Sequence, residues 1–116
     1  MIVHTLLYRF PEFVTDEEQR DFFDQMRAVA TGTGLIGSFD CQPHQWLPAD
    51  DVARGMTAAA IVQFTCADLA ALKAFSELPA VYDFITRFKA RLRFEAAYAN
   101  HAPLAIDQAV PAGRTS

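Results

Sequence analysis

The chain has 116 residues, of which 52% are hydrophobic and 21% charged, and its net charge is −4. This length fits one domain, and the composition supplies enough apolar side chains for a core, which excludes a largely disordered chain. The negative charge argues against nucleic-acid binding and against recruitment to an anionic membrane surface. No apolar run approaches the roughly 20 residues of a membrane helix, and the N-terminus lacks the pattern of a signal peptide, so we expect a cytoplasmic protein.

The cysteine and histidine positions exclude the common scaffold and metal motifs. Two cysteines are too few for a disulfide framework, and they form no Cys-x-x-Cys pair. The three histidines lie far apart along the chain and show no metal-ligand spacing. We therefore expect neither a metal site nor a cofactor.

The first third of the chain predicts a strand followed by a capped helix. Over residues 2–10, strict alternation places His4 on one face with Ile2, Leu6, Tyr8 and Phe10, and Pro11 ends the strand. Thr15 and Glu18 have the spacing of a capping box. The helix is expected to reach about Thr31, with a buried stripe formed by Phe22, Met26, Val29 and Ala30 and with Phe23 on the flank of that stripe.

The rest of the chain predicts three further strands and two helices. A second strand is expected at 35–47, bulged at Gly37 or broken at Pro43, and a third at 57–65. The continuous apolar run 58–62 indicates cover on both faces of that third strand. A helix at 67–77, capped near Thr65 or Cys66, is expected to bury Leu69, Leu72 and Phe75. Pro79 is suited to start another helix, with Val81, Phe84, Ile85, Phe88 and Leu92 as its apolar stripe, and a final strand is expected at 93–99.

This order of elements predicts an α+β, ferredoxin-like βαββαβ domain over residues 1–100 with a four-stranded antiparallel sheet. Residues 101–116 are expected to be an arm or disordered. Helices cover one face of such a sheet, and the strands here carry apolar side chains on both faces. We therefore expect a homodimer in which two sheets face each other as a dimeric α/β barrel.

Three stretches of the sequence resemble the stress-responsive dimeric α/β-barrel family, called Dabb. They are the first strand at 3–10, the start of the first helix at 15–23, and the region from strand 61–64 through 68–69 to 75–80. The resemblance covers residues 2–99 and implies a homodimer with an apolar pocket between sheet and helices in each protomer. Family members include stress-induced proteins and polyketide cyclases of the olivetolic acid cyclase type, and the wider fold group includes cofactor-free monooxygenases and isomerases.

Compared with the cyclases, this sequence retains residues of the pocket but lacks the catalytic pair. Their tyrosine and histidine correspond here to Phe75 and Val81, so the hydroxyl and the imidazole are both missing. The first-strand histidine is retained as His4, and two pocket phenylalanines are retained as Phe22 and Phe23. Any chemistry in this chain must therefore use other groups.

His4 and Tyr8 are the candidate catalytic residues. An imidazole has a pKa near neutrality and can act as a general base, although a histidine in a sheet can also simply bond to a neighbouring carbonyl. The Tyr8 hydroxyl could donate to a ligand carbonyl or bond locally. The expected lining of the pocket comprises Leu6, Phe22, Phe23, Met26, His44, Trp46, Val62, Phe75, Val81, Tyr82 and Phe84.

Three hypotheses for function follow from these residues. The first is a cofactor-independent cyclase, isomerase or related lyase acting on a small apolar carbonyl compound, such as a polyketide or aromatic intermediate. The second is a non-catalytic ligand-binding or stress-protective protein. The third is a cofactor-free monooxygenase in which Trp46, a histidine and a tyrosine bind an electron-rich phenol; His44 and Trp46 would form its aromatic wall, or else a contact between subunits.

Overall fold

The computed structural model describes residues 1–53 and 55–105. Its elements are β1 (Ile2–Arg9), α1 (Asp16–Gly32), β2 (Ser38–Pro43), a 3₁₀ turn (Pro48–Val52), β3 (Ala60–Cys66), α2 (Leu69–Ser76), α3 (Pro79–Leu92) and β4 (Glu95–His101). The four strands form one antiparallel sheet in the order β2-β3-β1-β4. This arrangement confirms the α+β, ferredoxin-like fold class.

The start of α1 forms as the sequence predicts. Thr15 Oγ1 accepts from the Glu18 amide at 3.1 Å, and the Glu18 carboxylate accepts from the Thr15 amide at 2.9 Å. Two amide groups that the helix cannot satisfy itself are thereby paired. At the other end, Gly34 adopts a φ of 76°, a left-handed conformation that glycine enters without steric cost and that turns the chain out of the helix.

The core lies between the three helices and one face of the sheet. Alternate residues of β1 and β3 point into it, including Tyr8 and Val62, which are 1% and 0% exposed. Phe22 of α1 is fully buried at its centre, with ring centroids of Phe84 and Phe88 of α3 at 5.7 and 5.1 Å. The aromatic cluster therefore ties α1 and α3 to the sheet.

Several boundaries differ from those expected. β2 begins at Ser38 rather than at residue 35 and ends at Pro43, where the sequence predicted a break as one of two alternatives. β3 begins at Ala60 rather than at residue 57. Burial alternates along β3, so within one chain only its helix-facing side is covered, and the prediction of cover on both faces is wrong for the single chain. β4 begins at Glu95 and runs through His101, whereas residues 106–116 of the expected arm lie outside the described residues.

The first residues of α2 also differ from the sequence prediction. Asp68 caps the helix by accepting from the Ala71 amide at 2.8 Å, in place of the predicted Thr65 or Cys66. Leu72 and Phe75 are buried as predicted, but Leu69 is 59% exposed. The first helical position lies beside the cap, and here its side chain stays largely outside the core.

The face of the sheet opposite the helices is mixed in character. Leu7 and Ile61 are its partly exposed aliphatic side chains, at 45% and 39%. Beside them Thr5 accepts from the Gln63 side-chain amide at 3.0 Å and lies 2.7 Å from His101 Nε2. This outer face thus combines a small apolar area with a hydrogen-bonded polar group.

The link from α3 to β4 is two residues long. Arg93 ends α3 in the left-handed conformation, with φ 53° and ψ 38°, and its amide donates to the Lys89 carbonyl at 2.9 Å. Buried Phe94 follows, and β4 starts at the next residue. α3 and β4 are therefore consecutive elements of the chain, and a tight reversal joins the end of the helix to the start of the strand.

Candidate functional site

A cavity of about 520 Å³ lies between the helix-facing side of the sheet and the three helices. This volume falls within the range of about 300 to 1,000 Å³ that small-molecule sites occupy. Most of the lining is aliphatic or aromatic, from α1 (Met26, Val29, Ala30), the strands (Leu6, Phe39, Phe64) and α2 and α3 (Leu69, Leu72, Phe75, Val81, Phe84, Ile85). The polar side chains that line it are His4, Tyr8, Lys73, Ser76, Tyr82, Tyr98 and Asn100.

His4 enters this cavity from β1, where the strand alternation predicts it. Its ring lies between the Phe64 and Tyr98 rings, with centroids at 4.8 and 5.0 Å. Its Nδ1 lies 2.5 Å from the side-chain oxygen of Asn100, the residue paired with it on β4. Burial lowers the pKa of His4 below its ordinary value, an effect that the hydrogen bond to Asn100 opposes. The imidazole is therefore neutral at neutral pH.

Tyr8 lies two positions further along the same face, in the deeper part of the cavity. Among the described residues its hydroxyl makes one hydrogen bond, a donation to the sulfur of Met26 at 3.8 Å. Burial raises the pKa of the Tyr8 hydroxyl well above its ordinary value, so the group remains protonated. A thioether is a weak acceptor, and the hydroxyl can therefore donate to a stronger acceptor that enters the cavity.

The exposed side chains of the cavity lining come from α2, α3 and β4. Tyr82 of α3 and Tyr98 of β4 both line the cavity and are 66% and 65% exposed. On the α2 side Lys73 is held by Glu77, with its ammonium 2.8 Å from one carboxylate oxygen. Aromatic side chains thus form part of this exposed lining, and the nearby lysine is already paired.

The structure brings together most of the residues that the sequence suggested for the site. His4, Leu6, Tyr8, Met26, Phe75, Val81, Tyr82 and Phe84 all line the cavity. Phe22, Phe23 and Val62 are buried in the core behind it rather than in its wall. Phe75 and Val81, the residues that the sequence resemblance matches to the cyclases' catalytic pair, contribute apolar side chains to the lining.

His44 and Trp46 lie away from this cavity. The His44 amide still donates to the Ala59 carbonyl at 2.8 Å, and alternation puts His44 on the same side as Gln42, which is paired with Ile61 of the outer face. His44 Nε2 lies 2.7 Å from Asp50 Oδ2, and this bond lowers the pKa of the Asp50 carboxyl. The Trp46 ring packs edge-on against His44 at 4.2 Å and is 63% exposed. His44 lines a second, shallower hollow of about 290 Å³ with Leu7 and Ile61 of the outer face.

Sequence reasoning missed four polar residues of the cavity: Lys73 and Ser76 of α2, and Tyr98 and Asn100 of β4. In the register of β1 with β4, Tyr98 is opposite Leu6 and Asn100 is opposite His4. Alternation along β4 places Tyr98 and Asn100 on the same face of the strand. The missing information was the register, which decides which of these side chains meets the histidine.

The described residues contain no group of three or more histidine, cysteine, aspartate or glutamate side chains that could hold a metal ion. In the same residues, no helix has both the length and the apolar character required to cross a bilayer. The free thiols Cys41 and Cys66 have pKa values raised by burial, which disfavours thiolate formation.

Comparison with known proteins gives structural matches only: no family model and no curated protein matches the sequence. At3g17210 from Arabidopsis thaliana superposes with a TM-score of 0.76 at 17% identity, over 91% of this chain and 98% of that chain. A hydroxynitrile lyase from Passiflora edulis gives 0.71 at 13% identity, over 95% and 96%. A Dabb family protein with a ferredoxin-like fold from Mesorhizobium loti gives 0.69 at 15% identity, over 90% and 97%.

Two other matches bear on assembly and chemistry. A dimeric ferredoxin-like protein of unknown function from Thermobifida fusca has a TM-score of 0.68 at 14% identity, over 87% of this chain and 89% of that chain. An antibiotic biosynthesis monooxygenase has a TM-score of 0.58 at 14% identity, over 90% of this chain and all of that chain. The superpositions establish a shared fold, and the low sequence identities leave the activity of this chain open. The chain has the ferredoxin-like fold of Dabb-type proteins, as its sequence resemblance predicts.

Proposed function

We propose that this protein is a cofactor-independent enzyme of the cyclase, isomerase or lyase type, acting on a small apolar carbonyl compound. The observation that carries the proposal is a neutral imidazole, His4, placed in the wall of a largely apolar cavity of ligand size. Such a pocket with a few convergent polar groups is the usual form of a small-molecule site. The presence of a hydroxynitrile lyase among proteins of this fold supports lyase-type chemistry.

In this proposal His4 acts as the general base. Its lowered pKa leaves the ring unprotonated at neutral pH, so that it can accept a proton from the carbon next to a carbonyl group. The imidazolium then returns that proton to a different carbon in an isomerisation, or to the new alkoxide in an aldol closure. No electron acceptor is consumed in either sequence.

Tyr8 would stabilise the enolate that forms when the proton leaves. Its hydroxyl is protonated, lies on the His4 side of the sheet, and is bonded only to a weak acceptor among the described residues. A donor placed at the developing oxyanion in a site that excludes water lowers the barrier strongly. The surrounding Phe, Leu and Met side chains would fold the substrate and keep its reacting ends close.

Proton exchange tests this proposal without knowledge of the natural substrate. Aryl methyl ketones and a linear triketone are incubated with the protein in D₂O, and loss of the α-proton signals is followed by NMR. We expect catalysed exchange that falls by about tenfold or more in His4→Ala. His44→Ala is the matched control, since it removes an imidazole outside the cavity and is expected to leave the rate unchanged. Equal rates in wild type and His4→Ala would contradict the proposal.

A ligand-binding protein without catalysis is the alternative. It is supported by Phe75 and Val81, which line the cavity where the resembling cyclases carry their catalytic tyrosine and histidine. This alternative predicts that the same ketones raise the melting temperature of the protein while no exchange is catalysed. It also predicts that His4→Ala retains ligand binding.

We also propose that the protein is a homodimer formed by the outer faces of two sheets. Leu7 and Ile61 supply an exposed apolar area on that face, and a protein of the same fold from Thermobifida fusca is described as dimeric. Contact between two such faces would remove both side chains from water. The helix-side cavity remains open in this arrangement, one in each protomer.

A further inference from the structure

The contact between His4 and Asn100 has a specific consequence for the chemistry of the imidazole. The two residues are partners across β1 and β4, and His4 Nδ1 lies 2.5 Å from Asn100 Oδ1. Asn100 is on the edge strand, where its backbone is held by pairing with β1 alone. Its side chain is thus directed towards the histidine by the strand register rather than by packing around it.

The identity of the two atoms determines where the histidine proton lies. An amide oxygen can only accept a hydrogen bond, so Nδ1 must donate, and it must carry the proton. A neutral imidazole has a single N–H group. Nε2 is therefore the nitrogen that holds a free lone pair.

We propose that Asn100 is a positioning residue that fixes His4 in the tautomer protonated on Nδ1, leaving Nε2 as the nitrogen that accepts the substrate proton. The catalytic part of this inference rests on the proposed function, whereas the tautomer and its control by Asn100 do not. Asn100 would act only through His4 and would not touch the reacting atoms.

A neutral partner also distinguishes this site from one with a carboxylate. Asn100 orients the ring without supplying the negative charge that would favour imidazolium. The titratable side chains that line the cavity together with His4 are Tyr8 of β1, Lys73 of α2, Tyr82 of α3 and Tyr98 of β4, and the charge of His101 on β4 lowers the pKa of His4 further. The cavity residues of α1, β2 and β3 are apolar, Lys73 is paired with Glu77, and no carboxylate is among the described lining residues. The site therefore keeps its base uncharged.

Nitrogen-15 NMR of the histidine rings, with the protein labelled at histidine, tests the inference directly. In wild type we expect His4 to show the Nδ1-protonated tautomer and a pKa below 6.5, the ordinary histidine value. Asn100→Asp should retain that tautomer and raise the pKa of His4 by about one unit or more, since an opposite charge then lies beside the ring. Asn100→Ala should lose the preference for the Nδ1 tautomer.

Two controls make the result decisive. Ala99→Asp adds the same charge to the opposite face of β4 and should move the pKa of His4 much less, while His44 serves as an internal reference in every spectrum. In exchange assays, the acidic limb of the rate profile should move to higher pH in Asn100→Asp. An Nε2-protonated His4 in wild type, or a tautomer unchanged in Asn100→Ala, would overturn the inference. Because these spectra do not depend on turnover, they test the tautomer of His4 and its control by Asn100 even if the protein is not an enzyme.

Discussion

The hydroxyl of Tyr8 donates to the sulfur of Met26 across a distance of 3.8 Å, within a wall where the Tyr8 side chain is 1% exposed. A buried phenol normally has an oxygen or nitrogen partner, and a thioether satisfies it only weakly. The ring itself is fixed by Phe23 and Phe94, whose centroids lie 5.2 and 5.5 Å away. Packing therefore places Tyr8, and its hydroxyl retains donor capacity for a ligand.

Tyr8→Phe separates these two roles. We expect turnover of a ketone probe to fall by about tenfold or more, since the oxyanion donor is lost. The free energy of unfolding should change by less than about 1 kcal/mol, because the lost hydrogen bond is weak and the ring remains. Kinetics and urea denaturation of the same sample measure both quantities, and unchanged turnover would remove Tyr8 from the mechanism.

The lowered pKa of His4 predicts the sign of a pH effect on stability. Because the folded state binds the His4 proton less readily than the unfolded chain, the unfolded state holds more protons near the histidine pKa, and stability rises with pH. Above about pH 6.5, His4 is neutral in both the folded and the unfolded state, and the protein has the full stability that a neutral His4 allows. As the pH falls below that value, protonation of His4 in the unfolded state lowers the free energy of unfolding.

Urea denaturation on both sides of that range checks the effect, with His4→Gln as the comparison. The loss of stability on acidification should be smaller in the variant, which has no imidazole to protonate at this position. His44→Gln is the control, and it should preserve the contribution of His4. An identical pH dependence in wild type and His4→Gln would show that burial of His4 does not disfavour its charged form.

Phe22→Ala should strongly lower the free energy of unfolding. Phe22 is fully buried and packs against aromatic rings from both the sheet and α3. Its removal leaves a cavity and should lower the free energy of unfolding by about 3 to 5 kcal/mol. Phe13→Ala deletes the same ring where it is 58% exposed and should cost less than about 1 kcal/mol. Similar costs at the two sites in chemical denaturation would contradict the assignment of the core.

Ile61→Glu tests the proposed dimer. A charge in the middle of the outer face would be buried between two sheets, so we expect the dimer to dissociate. Leu69→Glu is the matched control on the helix side, where the leucine is 59% exposed. Light scattering after size exclusion should give a monomer for the first variant and a dimer for the second. A wild-type protein that is monomeric at all accessible concentrations would reject the proposal.

Local sequence signals predicted the elements well because they involve neighbouring residues. The Thr15–Glu18 capping box and the alternation around His4 each depend on a few consecutive positions, and both have the predicted form. Pro79 starts α3 for the same kind of reason. Such patterns also placed His4 and Tyr8 on the face that borders the cavity.

The features that were missed depend on contacts between distant parts of the chain. Asn100 meets His4 only through the register of β1 and β4, which no local pattern specifies. His44 and Trp46 were expected to line the cavity, but His44 shares the side of β2 that carries Gln42, and the pairing of Gln42 with Ile61 shows that this is the outer face of the sheet. Leu69 fits a helical stripe, yet the cap at Asp68 puts it at the exposed first turn.

The two-residue reversal at Arg93 leaves little chain between α3 and β4, and the residues that flank it, Leu92 and Phe94, are 0% and 4% exposed. The C-terminal end of α3 is therefore anchored against the sheet. Tyr82 lies near the other end of α3, whereas Tyr98 lies in the middle of β4 and is paired with Leu6 of β1. Strand pairing thus holds both Tyr98 and the His4–Asn100 pair in place, and we expect any adjustment to ligands of different size to come from the start of α3.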